Sequence, residues 1–209
     1  MKTQIFPINQ LSTAQATEIV DALRNGAVIA VATDTVYGVG CDAFNATARQ
    51  RIYVLKNRPA HMPLQILIDS VETAKKLVQW DERTERLARA YWPGPLTIIS
   101  RPTSSGRTLL NGFEGLGLRI PNHEGLLKLL AAFRAPLACT SANTHGRAVI
   151  TNEADLCAFC QGKVDYILTD GTLSPVASSV IDVTNEANLL REGSLSRQVL
   201  EDVLKEPLK

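Results

Sequence analysis

The segment Ala27-Val28-Ile29-Ala30-Val31-Ala32, followed directly by Thr33-Asp34-Thr35-Val36-Tyr37-Gly38, decides the fold class of this chain. Its first half is a continuous apolar run of strand length, typical of a strand buried on both faces. Its second half brings two hydroxyls, a carboxylate and a phenol to the end of that strand. Open α/β sheets place ligand sites at strand ends, so the segment predicts a buried strand with a polar ligand site. A plain turn that uses Gly38 is the alternative for the second half.

Outward from this segment, helix-like and strand-like stretches alternate along the chain. Capping residues and helical periodicity predict helices over 12–25, 45–55, 69–78, 84–91, 125–133, 153–159 and 195–204. Apolar runs predict strands over 27–32, 64–68, 96–100, 117–120, 137–140, 166–169, 179–183 and 188–191. Residues 102–115 are predicted to form a long loop. The alternation indicates a layered α/β protein with a mixed sheet, and we expect one domain over residues 1–209.

Composition and charge exclude several classes of function. Of 209 residues, 45% are apolar, and 22 basic against 21 acidic residues give a formal net charge of +1. This balance argues against a strongly basic nucleic-acid coat and against an acidic disordered chain, so any basic site must be local. No apolar run approaches the roughly 20 residues of a membrane span, and the N-terminus lacks the apolar stretch of a signal peptide.

The four cysteines, at positions 41, 139, 157 and 160, are too few and too scattered for a secreted disulfide framework. We therefore expect reduced thiols in a cytoplasmic protein. Cys157 and Cys160 form a C-x-x-C pair, which is found in half zinc sites and in redox pairs. Because the sequence has no second C-x-x-C and no H-x-x-x-H, we favour two packed thiols and expect no metal site.

Two cationic segments follow predicted elements. In Lys56-Asn57-Arg58-Pro59, the proline favours extended geometry at Arg58, so Lys56 and Arg58 are predicted to face the same way as a phosphate clamp. A solvated charge pair is the alternative. Arg119 lies in or at the end of a predicted strand, where a charge is costly unless it is paired. Its partner is a carboxylate of the protein or one of a substrate, and the residues leave both open.

A third segment, Thr140-Ser141-Ala142-Asn143, follows another predicted strand. Small hydroxyl and amide residues at a turn can contact phosphates, although a simple turn is the alternative. The sequence contains no Walker A motif, no G-x-G-x-x-G and no G-x-S-x-G. Because the candidate side chains are cationic or hydroxylic, an anion-binding site that positions substrates is favoured over covalent catalysis.

Taken in order, the motifs T-D-T-V-Y-G, K-N-R-P, P-G-P-L-T, L-R-I-P, T-S-A-N, S-S-V-I-D and R-E-G resemble the YrdC/TsaC family, the threonylcarbamoyl-AMP synthases. The likeness runs from about Ile29 to Gly193. It implies the YrdC-like fold, a twisted open mixed α/β sheet with helices packed on it, around a large basic cavity. It implies a nucleotidyltransferase that converts L-threonine, bicarbonate and ATP, with Mg²⁺, to L-threonylcarbamoyladenylate and pyrophosphate.

The resemblance also implies partners and site residues. The product would feed threonylcarbamoyladenosine (t6A) modification of tRNA through a TsaD-type transferase, with at most a weak contact to tRNA and none to a membrane. Lys56 and Arg58 match catalytic positions. The positions that match L-threonine ligands are Thr35, Arg119, which would take the carboxylate, and Ser179. The positions that match ATP ligands are Lys56, Arg58, Ser141, Asn143 and Arg191.

The chain departs from the family pattern at Leu67, where many relatives have histidine, and at Gly115 and His145, so no contacts are carried over there. About 16 residues follow Gly193, and we expect no counterpart of the further domain of longer members. Two other functions remain open. One is a carbamoyl-adenylate-forming component of a carbamoyltransferase, which in that family sits in a much longer chain. The other is a non-catalytic RNA-binding module, which near-neutral charge and 5% aromatic residues disfavour.

Overall fold

The structure is a computed structural model that describes residues 2–59, 61–110 and 112–209. Its strands are β1 (Gln4–Pro7), β2 (Val28–Val31), β3 (Gly38–Asp42), β4 (Gln65–Leu67), β5 (Leu96–Ser100), β6 (Leu116–Arg119), β7 (Leu137–Ser141), β8 (Tyr166–Thr169), β9 (Ser179–Asp182) and β10 (Asn188–Arg191). Its helices are α1 (Thr13–Arg24), α2 (Ala46–Lys56), α3 (Val71–Leu77), α4 (Glu82–Tyr91), α5 (Ser104–Arg107), α6 (Glu124–Phe133), α7 (Glu153–Cys160) and α8 (Arg197–Leu204).

Local sequence signals explain where the helices near the site begin and end. The Ser12 side chain accepts from the Gln15 amide, and the Gln15 side chain accepts from the Ser12 amide, so α1 starts with a capping box. Gly26 follows α1 at a φ of +87°, a conformation that glycine adopts without strain. Asn45 caps α2, and Asn57 ends it at a φ of 50°.

The described strands form one sheet in the order β1-β8-β2-β3-β7-β4-β6-β5-β9-β10. The pairs β1·β8, β2·β8, β4·β6 and β5·β9 are parallel, and the others are antiparallel. The prediction of a mixed α/β sheet is therefore confirmed. The apolar run that opened the analysis becomes β2, which is buried along its whole length near the middle of one half of the sheet.

Three local predictions were wrong. Strand β1 was missed, because residues 4–7 are largely exposed and show no apolar run. Strand β3 was also missed, because its glycines and the acid at position 42 hide the strand pattern. The predicted long loop over residues 102–115 contains the helix α5, and the side chain of Thr103 caps the start of that helix.

Two hydrophobic clusters lie on the sheet. The larger one contains β2 and its neighbours together with the buried faces of α1, α2 and α6. The smaller one packs α4 and α8 against β5 and β9. Within the part of the chain that the structure describes, no helix is both long enough and apolar enough to cross a membrane.

Candidate active site

Arg119 ends β6 as a fully buried guanidinium with three different partners. Its Nη2 donates to Asp34 Oδ1 at 2.5 Å, its Nη1 donates to Thr35 Oγ1 at 3.1 Å, and its Nε donates to the Gly94 carbonyl at 3.0 Å. The side chain of Arg119 is 2% exposed and that of Asp34 is 11% exposed. A carboxylate of the protein therefore pairs with this buried cation. The sequence left open a carboxylate of the protein or one of a substrate, and the structure shows the first.

Lys56 is a second buried cation, and among the described residues the hydrogen-bond acceptors of its ammonium group are all neutral oxygen atoms. Nζ donates to the Ser141 carbonyl at 2.5 Å, to the Asn143 carbonyl at 2.7 Å and to Asn143 Oδ1 at 2.9 Å. Those bonds use all the hydrogens that an ammonium group carries. Burial, and then the charge of Arg58, lower the pKa of Lys56 to about 8. Lys56 thus fixes the 141–143 loop that follows β7.

The geometric reason given for a Lys56–Arg58 clamp was wrong, although the two charges do interact. Lys56 is the last residue of α2 and Asn57 is left-handed, so the chain is not extended between them. Arg58 instead donates its backbone N–H to Tyr53 O, and its Nη2 donates to the Pro63 carbonyl at 2.9 Å. Its Nε is buried and has no hydrogen-bond partner within the described residues. Burial lowers the pKa of Arg58.

Arg191 and Ser179 lie on the β9–β10 hairpin. Arg191 ends β10, and its Nε donates to Ser178 O while its Nη2 donates to Ser178 Oγ. Ser179 begins β9 rather than ending it. Its buried hydroxyl donates to Leu195 O and accepts from the backbone amides of Gly193 and Leu195. Ser179 therefore ties the segment after β10 to the sheet, and its hydroxyl has no spare hydrogen for a ligand.

The structure brings five of the eight predicted site residues together as two hydrogen-bonded groups, whereas Arg58, Ser179 and Arg191 have other partners. Thr35 lies against Arg119, and Lys56 lies against Ser141 and Asn143. The Ala142 amide donates to the Tyr37 carbonyl at 2.7 Å, which joins the two groups through the β2–β3 loop. No direct hydrogen bond links Thr35 or Arg119 to Lys56 among the described residues.

Electrostatics join these groups to the β9–β10 hairpin. After burial, the positive charges of Arg119 and Arg58 lower the pKa of Arg191 further, so the three guanidinium groups lie within electrostatic range. Arg58 acts in the same way on Lys56. We call Lys56, Arg58, Arg119 and Arg191 the cationic cluster. Across the described ranges, Asp34 is the one carboxylate in an ion pair with any member of it.

Sequence reasoning placed the Asp34 carboxylate at a predicted ligand site without identifying its partner, and it assigned no role to Ser178. Asp34 is part of the T-D-T motif, but nothing in the sequence connects it with Arg119, 85 residues further on. Ser178, which holds Arg191, precedes the predicted Ser179 and was noted without a role. The costly charge in the β6 strand was the only available signal that a carboxylate had to be near.

The cationic cluster cannot bind a metal cation as it stands, because its side chains repel one. Among the residues that the structure describes, no three His, Cys, Asp or Glu side chains are placed to hold a metal ion. The four cysteines are free, and burial raises the pKa of Cys41, Cys139 and Cys160 to about 12, which keeps these thiols protonated. The fold and the cationic cluster together define a mixed α/β protein with four cationic side chains grouped in one region.

Comparison with known proteins places this chain in one family. Residues 21–193 match the Sua5/YciO/YrdC family, whose description reads "Telomere recombination". The chain belongs to that family, and the resemblance drawn from the motifs is confirmed. The match covers all the residues of the cationic cluster and the segments around them.

Curated relatives carry the name threonylcarbamoyl-AMP synthase. The one from Pyrococcus abyssi is 38% identical over 189 residues, which are 88% of this chain and 55% of that protein. The one from Vibrio cholerae is 30% identical over 180 residues, which are 84% of this chain and 96% of that protein. The chain thus spans little more than half the length of the Pyrococcus relative and nearly all of the Vibrio relative.

Solved structures share the fold. The structure of P. abyssi Sua5 complexed with L-threonine matches with a TM-score of 0.88 at 32% identity. The match covers 99% of this chain and 61% of that protein. E. coli YciO has a TM-score of 0.85 at 25% identity, with 93% of this chain and 97% of that one covered. The full-length HypF structure, at 16% identity and a TM-score of 0.73, is similar in fold alone.

Proposed function

We propose that this protein is an L-threonylcarbamoyladenylate synthase, which converts L-threonine, bicarbonate and ATP to threonylcarbamoyl-AMP and pyrophosphate. The observation that carries the proposal is the cationic cluster with its single paired carboxylate. One negative charge offsets one of the four cations, and the excess positive charge suits a triphosphate. The names of the curated relatives agree with this reaction.

The ATP phosphates would lie along Arg58 and Arg191. Both guanidinium groups present planar donors that match phosphate oxygens, and Arg58 Nε is a buried donor that a phosphate oxygen could accept from. Lys56 would act with Arg58 on the reacting phosphates in the catalytic role that its motif implies. Because Lys56 already binds the 141–143 loop, any direct contact with phosphate would replace one of those bonds. Ser141 and Asn143 would line the nucleotide side from that same loop.

L-Threonine would lie at Thr35 and Arg119, with its carboxylate at the guanidinium. Ser179 would shape this side by holding the Gly193–Leu195 segment, and a direct contact would need one of its present bonds to exchange. The structure of P. abyssi Sua5 complexed with L-threonine is 32% identical to this chain over 61% of that protein, and it supports an amino-acid site in the same fold. The large basic cavity expected for the family would then lie between these two groups of ligands.

In the reaction, the amine of threonine and bicarbonate form a carbamate and water. A carbamate oxygen then attacks the α-phosphorus of ATP, and pyrophosphate leaves with the electron pair of the broken P–O bond. Fixed cations stabilise the charge that develops on the α-phosphoryl oxygens and on pyrophosphate. Holding the substrates side by side removes much of the entropic cost of the reaction. The chain need not supply a nucleophile.

Mg²⁺ would enter bound to the phosphates of ATP. The donor set fits this better than a resident ion, because Asp34 is the one carboxylate paired within the cluster and Arg119 already occupies one of its oxygens. A bound Mg²⁺ would add charge neutralisation on the phosphates. The product would pass to a TsaD-type transferase for t6A modification of tRNA in the cytoplasm, with at most a weak contact of this chain to tRNA.

The test is ATP-dependent pyrophosphate release by the purified protein, with L-threonine and bicarbonate each omitted in turn. We expect release only when both are present, and its loss in Arg58→Ala with the fold retained. Release driven by carbamoyl phosphate without threonine would instead assign the protein to carbamoyl-adenylate formation. Folded protein that releases no pyrophosphate in any mixture would contradict both reactions.

A further inference from the structure

Arg191 is held along one edge of its guanidinium group by a single residue. Its Nε donates to the Ser178 carbonyl at 2.9 Å, and its Nη2 donates to Ser178 Oγ at 3.1 Å. A guanidinium group carries five N–H donors, and these bonds use only two of them. The remaining donors, on Nη1 and Nη2, have no hydrogen-bond partner among the residues that the structure describes. The orientation that Ser178 sets therefore decides where these free donors point.

The Ser178 hydroxyl belongs to a longer chain of hydrogen bonds. Thr97 Oγ1 donates to Gln65 Oε1 at 2.9 Å, because an amide oxygen can only accept. The single hydrogen of the Thr97 hydroxyl is therefore used, so Ser178 is the donor in the 3.3 Å contact between the Ser178 and Thr97 hydroxyls. Every hydrogen bond from the guanidinium group onwards thus runs in one direction, along a relay of three residues: Ser178, Thr97 and Gln65.

We propose that Thr97 and Gln65 are positioning residues for the nucleotide, which orient Arg191 through Ser178 so that its free donors face the phosphates of ATP. This inference rests on the proposed function and adds two residues that act on Arg191 only through another side chain. Thr97 and Ser178 are 3% and 2% exposed, so water does not compete for the bonds between their hydroxyls. The relay therefore keeps its direction inside the protein.

The sheet leaves space for the relay at one position of β6. Gln65 begins β4 and Thr97 lies in β5, and β6 lies between these two strands. Position 117 of β6 is glycine, and a Cβ atom there would lie 3.3 Å from Thr97 Cγ2, closer than ordinary van der Waals contact. The absence of a side chain at Gly117 lets the other two side chains meet across β6. Their bond ties the β9–β10 hairpin, which carries Arg191, to the middle of the sheet.

Neutral groups suit this task better than a carboxylate would. After burial, the positive charges of Arg119 and Arg58 lower the pKa of Arg191. The aligned hydroxyl and amide dipoles of the relay turn their oxygen atoms towards the guanidinium group and so stabilise its charge. A carboxylate in place of the Ser178 hydroxyl would form an ion pair with Arg191 and repel a phosphate. The relay instead orients the cation and leaves its charge available to ATP.

The test is calorimetric binding of a non-hydrolysable ATP analogue and of L-threonine to Thr97→Val, which keeps the shape of the side chain and removes its hydroxyl. We expect affinity for the ATP analogue to fall about three- to tenfold, the range of one lost hydrogen bond, while affinity for L-threonine stays within about twofold. Thr97→Ser restores the hydroxyl and should recover most of the nucleotide affinity. Gln65→Met removes the last acceptor of the relay and should give a smaller fall of the same kind.

Thr84→Val is the matched control, because the Thr84 hydroxyl is also buried and bonds at 3.0 Å to the hydroxyl of Ser100, on the same strand as Thr97. It should leave both affinities unchanged. A double-mutant cycle tests the route of the effect. In an Arg191→Ala background, Thr97→Val should cause no further loss of nucleotide affinity, because the residue on which the relay acts is already gone.

Unchanged nucleotide affinity in Thr97→Val and Gln65→Met, or losses that add fully in the double variant, would overturn the inference while leaving the proposed function intact. Equal losses of affinity for both ligands would do the same, since a general loosening of the fold would explain them. If Thr97→Val does not fold, Gln65→Met decides the question, because it changes a half-buried side chain at the start of β4. A wild type that binds no ATP analogue would remove the proposed function and the inference together.

Discussion

Arg119 and Lys56 are both buried cations of the same cluster, yet the protein compensates them in opposite ways. Arg119 faces the carboxylate of Asp34, so a full negative charge balances it. Lys56 faces only carbonyl and amide oxygens of the 141–143 loop, so hydrogen bonds alone stabilise its charge. Burial lowers the pKa of Lys56 to about 8.

The difference separates two tasks within one site. A guanidinium paired to a carboxylate has its counter-charge within the protein, so the pair as a whole adds no net charge to the interior. The ammonium group of Lys56 donates to three oxygen atoms of the 141–143 loop and so fixes the position of that loop. Breaking these hydrogen bonds would leave buried carbonyl groups unsatisfied. The Arg119 side of the site is thus held by an ion pair, and the Lys56 side by hydrogen bonds to the 141–143 loop.

The largest effect is expected for Arg119→Ala. The substitution leaves the Asp34 carboxylate largely buried and unpaired, which should lower the free energy of unfolding by about 3–5 kcal/mol. It should also abolish L-threonine binding while ATP still binds at Arg58 and Arg191. Denaturant unfolding and calorimetry measure the two effects. The double variant Asp34→Ala/Arg119→Ala should recover part of the stability, and a strictly additive double variant would show that the pair is not coupled.

A smaller loss is expected for Lys56→Met, which keeps the length of the side chain without its charge. The Ser141 and Asn143 oxygens lose their donor, at a cost of about 1–3 kcal/mol, and no carboxylate is left unpaired. Hydrogen exchange should speed up at the 141–143 loop and not at β6. Protection lost equally at both places would contradict the separation of the two tasks.

The pKa of Lys56 gives the comparison a pH dependence of defined sign. The unfolded chain has the ordinary value of 10.5 and the folded chain about 8, so between these values the unfolded state binds more protons and stability rises with pH. The contribution is at most about 1.4 kcal/mol per pH unit for one proton. The buried thiols act in the opposite direction above pH 9, since the pKa of Cys139 rises from 9.0 to about 12. The free energy of unfolding should therefore be measured for the wild type and for Lys56→Met from pH 8 to about 9. The difference between their slopes against pH isolates the contribution of the lysine. A difference of zero, or a negative one, would contradict the lowered pKa of Lys56.

The smallest effect is expected for Lys128→Met, which removes an exposed cation. Lys128 pairs with Glu124 on α6, and the two side chains are 74% and 79% exposed. Water screens such a pair, so the free energy of unfolding should change by no more than about 0.5 kcal/mol. A loss as large as that of Lys56→Met would mean that burial is not what distinguishes the cations of the cluster.

The sequence predicted the mixed α/β sheet and most of its elements, because buried strands such as β2 and capped helices such as α1 and α2 carry strong local signals. It also predicted the members of the cationic cluster from short motifs. It could not predict the pairing of Arg119 with Asp34, since no local pattern relates residues 85 positions apart. It misjudged the Lys56–Arg58 geometry because Asn57 adopts a left-handed conformation that ends α2, and a following proline does not reveal this.

The most direct test is a crystal structure of the protein with L-threonine and a non-hydrolysable ATP analogue. We expect phosphate oxygens within hydrogen-bond distance of Arg58 and Arg191, the threonine carboxylate at Arg119, and the Lys56 contacts to the 141–143 loop retained. A nucleotide bound away from the cationic cluster, or a threonine carboxylate that does not contact Arg119, would contradict the proposed site.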